Sequence, residues 1–472
     1  EDDVCWSAFE QPTQIPPDEH HVRFYPHQVE SRRRQGDVSL HTQIVVVPED
    51  DVEIRRLLLT NHSDESRPLR ISSYGEVVLA PQNQDRRHPA FNKLFIESEY
   101  VEEVNALLFT RRPRSADEQP LTIAHVLVPT PDLEASREHE GDRARFIGRG
   151  RTVRAPAALQ GDTHLSGTTG ATLDPVMALA QELDMEPHTT SRLAYLTLVA
   201  ESRKEALELA RRYTAWPRID RAFDQAHAQS EVELRNLDLE VSDVKHFQQL
   251  LSALLYPQSA LRAAPEILAA NERGQSALWP HGISGDYPIL LLRIEEEEQL
   301  PRVRELLRAH TYWRDRQLKI DLVILNERDV GYAQELTNQL NQVITQMDSE
   351  SWLNRRGGIF LLRADQMDEA NRVLLQTAAR VVLDADAGPL ADQVDRLLEG
   401  PSRLPAFAPP GVEKEPTPIS PVARPDKLRF DNGFGGFSSD GREYVVYLET
   451  ASEARRSENW TPAPWINVVA NS

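Results

Sequence analysis

The sequence predicts a mixed β and α/β protein: an antiparallel β-sandwich, a helical linker, a small α/β domain, then the truncated start of a further β-rich unit. Three observations carry this. Apolar residues alternate with period two over residues 37–79, short apolar runs alternate with helix-length amphipathic stretches after Pro288, and a proline-dense stretch sets residues 427–472 apart.

In the first region Val38, Leu40, Thr42, Ile44 and Val46 alternate with polar neighbours. Val52, Ile54, Arg56 and Leu58 follow, then Leu69, Ile71, Ser73, Gly75 and Val77. The intervening segments 48–51 and 61–66 are dense in turn formers. This pattern predicts an antiparallel meander with one buried face. Further strands are expected at Leu94–Val101, Ala106–Thr110, Thr122–Val128 and Arg192–Val199. So extended a sheet needs a second layer to cover it, which makes a β-sandwich over residues 1–200 the economical architecture.

Ser202 with Glu205 forms a capping-box signal, and Ala206, Leu209, Ala210 and Tyr213 then recur at helical spacing. With further helical pattern over Ile219–Leu234 and Val244–Leu255, residues 201–287 read as a helical connector. From Pro288 the apolar runs Ile289–Ile294, Ile320–Leu325, Ile359–Leu362 and Val381–Leu383 alternate with Leu300–Trp313, Tyr332–Met347, Glu369–Ala379 and Leu390–Leu398. Short apolar runs between helix-length segments indicate βαβ units on a parallel sheet, here a domain at 288–400. Residues 401–426 hold eight prolines and few large apolar residues, and read as an extended linker. Residues 427–472 open a β-rich unit. Glu1 is not Met and Trp465–Ala470 reads as an unfinished strand, so both ends are expected to be internal.

The formal net charge of −21 repels phosphate backbones and anionic head groups, which disfavours nucleic acid as a partner. Cys5 alone excludes an internal disulfide framework and a thiolate metal cluster, and fits a reducing compartment. No run of about 18 apolar residues offers a membrane span, and no signal peptide is visible.

The α/β pattern invites a nucleotide, but neither GxGxxG nor GxxxxGK[ST] follows a candidate strand, and Asn326 and Asp384 at strand ends read as caps or turn starters. Gly433-x-Gly435-Gly436 precedes a strand, so a tight turn is expected there. His20, His21 and His27 near Glu30 lack metal-ligand spacing, and neither a metal nor a cofactor is expected. The loop Gly282–Asp286 is the best candidate for chemistry, because Trp279, His281 and Asp286 surround it. An indole platform with an imidazole and a carboxylate suits a sugar ring, stacking on its CH face and bonding its hydroxyls. A buried Trp beside a tight turn is the alternative. No carboxylate can be singled out as a glycosidic acid from spacing alone.

Longer segments carry a resemblance. Leu255–Arg262, Asn271–Ile289, His88–Phe95, Thr110–Glu118 and Arg143–Arg151 resemble the cyclic β-1,2-glucan synthases. Asp440–Val446 and Thr461–Asn471 resemble the start of the sandwich domain of glycoside hydrolase family 94, the cellobiose-phosphorylase family. The resemblance implies that residues 1–200 are a β-supersandwich and that 427–472 begin a second one. It also implies a parent enzyme of the glycosyltransferase (hexosyltransferase) class with a phosphorylase-like module, anchored in the bacterial inner membrane with this segment on the cytoplasmic side. In such enzymes the polymerising domain and the (α/α)6 barrel with its general acid lie outside the matched region, so no catalytic residue is assigned here. The implied partners are the other domains of the same polypeptide and a β-glucan chain; a stand-alone carbohydrate-binding or scaffolding module is the other reading.

Overall fold

The computed structural model describes residues 4–395, except 116, 117, 119, 131, 132, 134, 162, 257 and 330, and residues 427–446 except 434. The expected linker at 401–426 and the end of the second β-unit, 447–472, lie outside the described residues. The chain divides into two compact units, residues 1–229 with 412–472, and residues 230–411.

Thirteen strands build the first unit's two sheets: β1 (Glu19–Phe24), β2 (Val29–Gln35), β3 (Val38–Val46), β4 (Val52–Asn61), β5 (Arg67–Ser72), β6 (Gly75–Glu76), β7 (Ile96–Val101), β8 (Ala106–Arg111), β9 (Thr122–Val128), β10 (Glu138–Asp142), β11 (Gly170–Ala171), β12 (Pro175–Met185) and β13 (Thr190–Ala200). One sheet has nine strands in the order β1-β2-β3-β4-β13-β9-β8-β7-β11, and the other joins β10, β12, β5 and β6. All pairings in both are antiparallel.

The middle strands of the large sheet are buried on both faces. Ile54, Ala106, Leu108, Ala124, Val126, Ala194, Leu196 and Leu198 enter one core, shared with the helix Arg203–Tyr213 and the first turns of Trp216–Asn236. Their neighbours Leu57, Leu59, Leu107, Phe109, Leu127, Leu193 and Tyr195 enter a second core with Leu179, Leu183 and Met185 of the small sheet. Successive side chains of a strand point to opposite faces, so a two-faced sheet needs near-continuous apolar strands, as in β8 and β9.

Two features depart from the expected meander. The run beginning at Leu69 does not continue it: β5 pairs with β12 in the other sheet. In β4 the buried positions switch phase, from Val52 and Ile54 to Leu57 and Leu59, while Arg56 faces the helical layer. There its guanidinium bonds Gln43 and Asp220 and lies 4.0 Å from the centre of the Phe223 ring. Ser202 caps its helix by accepting from the Glu205 amide, as the capping signal predicts.

A buried polar group ties the two sheets. The His125 ring stacks on Tyr195 at 5.7 Å, and its nitrogens lie 2.8 Å from Ser73 Oγ and 3.1 Å from Thr197 Oγ1. Tyr195 donates its hydroxyl to the Leu179 carbonyl of β12. Burial pushes His125 down to about 3, so the ring stays neutral.

In the second unit β14 (Ile289–Ile294), β15 (Asp321–Asn326), β16 (Ile359–Arg363) and β17 (Val381–Asp384) form a parallel sheet ordered β16-β15-β14-β17. The helices Val241–Leu255, Leu300–Asp315 and Ala333–Gln346 pack on one face, and Glu369–Ala378 with Leu278 and Ile283 on the other. This is the βαβ arrangement expected after Pro288. Residues 427–446 contain a hairpin, β18 (Gly435–Phe437) with β19 (Tyr444–Val446); Gly435 and Gly436 are strand residues, and Gly433 turns the chain with φ +91°.

Leu196 sits in β13 opposite Ile54 and Val126 and is fully buried. Leu196→Ala is expected to destabilise this unit by about 2–5 kcal/mol. Urea unfolding followed by tryptophan fluorescence measures it; a loss comparable to that of the half-exposed Arg55→Ala would show that the β13 core is not tightly packed.

Candidate functional site

The segment 275–287 is held by its own turns. A 3₁₀ turn, Gln275–His281, ends at Gly282 with φ +78°, whose amide donates to the Trp279 carbonyl. That conformation favours glycine. Buried Ile283 anchors the loop in the core, and Gly285 takes a second positive φ. Around this tip the Gln275 amide donates to the Ser284 carbonyl and to Asp286 Oδ1, and the Trp279 indole N–H lies 3.4 Å from the same carbonyl. Arg356 closes the other side, 2.6 Å from Asp286 Oδ2, with its guanidinium 5.1 Å from the Tyr287 ring.

Of the three predicted sugar contacts, Trp279 and Asp286 therefore share one surface. Trp279 is 61% exposed, so the buried-Trp alternative does not describe it, although the tight turn does. His281 makes none of these hydrogen bonds. It is an electrostatic neighbour of Asp368, whose carboxyl is held below the usual range chiefly by the Asn371 amide, with help from Arg273. Its Nε2 is buried without a protein partner.

The loop precedes β14, so it lies at the amino ends of the parallel strands, whereas open α/β sheets bind ligands beyond the carboxyl ends. At the carboxyl ends the polar groups close local structure. Arg293 bonds Glu327 and Asp384, Asn326 donates to the Ala333 carbonyl and Thr337, and Asp384 accepts from the Asp386 amide. The loop after β14 is Glu295–Glu298, acidic where a phosphate cradle needs glycines.

Asp321 escapes sequence reasoning. A carboxylate opening a strand reads as a turn residue, and its one signal is that an unbroken apolar run follows it. The residue is fully buried; Oδ1 accepts from the Gly357 amide at 2.7 Å, and Oδ2 has no protein partner. Burial raises its pKa to about 6, against the pull of Gly357 and Arg356. Near His20, His21 and His27, where the spacing predicts no metal-ligand set, Glu30 bonds Arg32 and His41, and His20 contacts Ser31.

Comparison with known proteins finds likeness over the larger sheet assembly and beyond it. Residues 1–215 match the supersandwich domain of glycosyl hydrolase 94. The chain is also 33% identical over 478 residues to the cyclic beta-(1,2)-glucan synthase NdvB of Rhizobium meliloti (strain 1021), covering 99% of this chain and 16% of that protein. The resemblance read from the sequence thus extends over the whole chain, which spans 16% of its relative's length. Among solved structures, a protein described as a kojibiose phosphorylase from the human microbiome aligns at TM-score 0.27 with 10% identity, over 47% of this chain and 23% of that one. A polysaccharide lyase aligns at TM-score 0.23 with 13% identity, over 38% and 23%. At such scores neither likeness carries an argument. Among the described residues no helix of the supersandwich or of the second unit is long and apolar enough to cross a membrane.

The buried Asp321 makes a pH prediction. Its folded pKa of about 6 lies above the ordinary 3.8, so its contribution to stability is complete below about pH 4 and is lost as pH rises through 6. Asp321→Asn keeps the acceptor for Gly357 without the charge. It is expected to be more stable than the wild type at pH 8 by up to about 3 kcal/mol, and close to it at pH 4. Thermal melts at both pH values read the difference; an equal shift at both would place the ionisation elsewhere.

Proposed function

We propose that this chain is a non-catalytic sandwich and spacer segment of a carbohydrate-active enzyme of the glycosyltransferase or phosphorylase type, one that makes or trims β-1,2-glucan. The observation that carries the reading is the identity over 99% of the chain to a synthase of which it spans 16%. In this reading residues 1–200 form the supersandwich, 201–287 connect it, 288–400 form the α/β spacer, 401–426 are the linker, and 427–472 open a second sandwich. The partners are the other domains of the same polypeptide, anchored in the bacterial inner membrane with this segment on the cytoplasmic side. The engagement of the two carboxylates of this region, Asp286 and Asp321, supports it. A glycosidic acid must face its substrate, whereas Asp286 is paired with Arg356 and Asp321 is closed beneath Gly357.

The exposure of Trp279 beside Asp286 supports a second reading, in which the segment also contacts the glucan.

Two assays address these readings. With UDP-glucose, or with phosphate and β-1,2-oligoglucosides, the 472-residue chain is expected to show no turnover, and measurable product would overturn the non-catalytic reading. Calorimetry with β-1,2-glucan is expected to show binding that weakens about tenfold, near 1.4 kcal/mol, on Trp279→Ala. Absence of binding by the intact chain would remove the second reading and leave the first standing.

A further inference from the structure

In the small sheet of the first unit, three side chains far apart in sequence converge. Glu138 begins β10, His164 lies in the segment after residue 162, and Glu182 is in β12. His164 Nδ1 is 2.8 Å from Glu138 Oε1 and 3.8 Å from Glu182 Oε1, and the three ligand atoms all lie within 4.8 Å of one another. A tetrahedral Zn²⁺ with ligands about 2.0–2.2 Å away sets them roughly 3.3–3.6 Å apart. The observed separations bracket that span, and His164 and Glu182, 62% and 59% exposed, have room to adjust.

We propose that Glu138, His164 and Glu182 form a site for a divalent transition-metal ion of the Zn²⁺ class, with a fourth position open to water. The ligand chemistry is specific to such an ion: one imidazole and two carboxylates suit Zn²⁺, whereas Mg²⁺ and Ca²⁺ prefer oxygen alone. The surroundings prepare the least exposed ligand. Glu138 Oε2 is held by Arg70 at 2.6 Å and by the Leu165 amide at 3.3 Å, which fixes the carboxylate with Oε1 towards His164. Arg70 is itself anchored on the carbonyls of Ala158 and Thr163. Outer partners of this kind orient metal ligands. The guanidinium offsets one of the two carboxylate charges, so the site keeps a net negative charge for a cation. Bound metal would clip β10, β12 and the intervening 160s segment together.

Titration calorimetry of the chelator-treated 472-residue chain with ZnCl₂ tests this. The expected result is one saturable site per chain, weakened at least tenfold in His164→Ala and in Glu182→Gln, and unchanged in His188→Ala, which removes another exposed His–carboxylate pair. The altered ligands are exposed, and thermal melts of the metal-free variants verify that they fold. Absence of a saturable site, binding that survives both ligand substitutions in folded protein, or equal loss in His188→Ala would overturn the proposal.

Discussion

The first unit depends on one constraint: the middle of β13, Leu193–Leu198, has no wet side. Its backbone is paired to β4 on one edge and β9 on the other, and its side chains alternate into two separate cores. Ala194, Leu196 and Leu198 seal the helical layer, while Leu193 and Tyr195 seal the small sheet. Each fully buried large aliphatic side chain contributes about 1.5–3 kcal/mol. The chain can satisfy the polar groups of such a strand only inside the sheet, so both covering layers must form with it. The His125, Tyr195 and Ser73 contacts add direction to this packing, because apolar layers alone do not fix how one sheet sits on another.

The second unit follows a related logic with a parallel sheet. Leu290, Leu292, Leu322 and Ile324 face one helical layer, and Ile289, Leu291, Val323 and Leu325 face the other. Polar groups at the strands' carboxyl ends are consumed in closing their own loops, and the amino ends carry the buried Asp321 and the exposed Trp279 surface.

Much of this was legible in the sequence, for definable reasons. Thr122–Val128 was read at its observed bounds because β-branched and apolar residues dominate it, and the βαβ alternation was clear because each apolar run has helix-length neighbours. Strand partners were not legible. Alternation reports a face and says nothing about which strand lies alongside, so the pattern of β5 does not show that its neighbour is β12. β12 is not legible in the sequence, since Pro175 opens it and small alanines dilute its apolar signal. The turn at Gly282–Asp286 is legible from its glycines, but the placing of His281 near Asp368 is not, because only the fold brings residues 281 and 368 together. Asp321 was hidden for the same reason: only the fold places the Gly357 turn over it.

Native-state hydrogen exchange tests the central constraint most directly, because it reads each strand's opening separately. If the doubly buried sheet is the unit's foundation, the amides of Leu193–Leu198 exchange only through global unfolding, with protection equal to the unit's unfolding free energy, while those on the open edge of β1 exchange through local fraying. Exchange of Leu193–Leu198 as fast as that of Glu19–Phe24 would contradict the account.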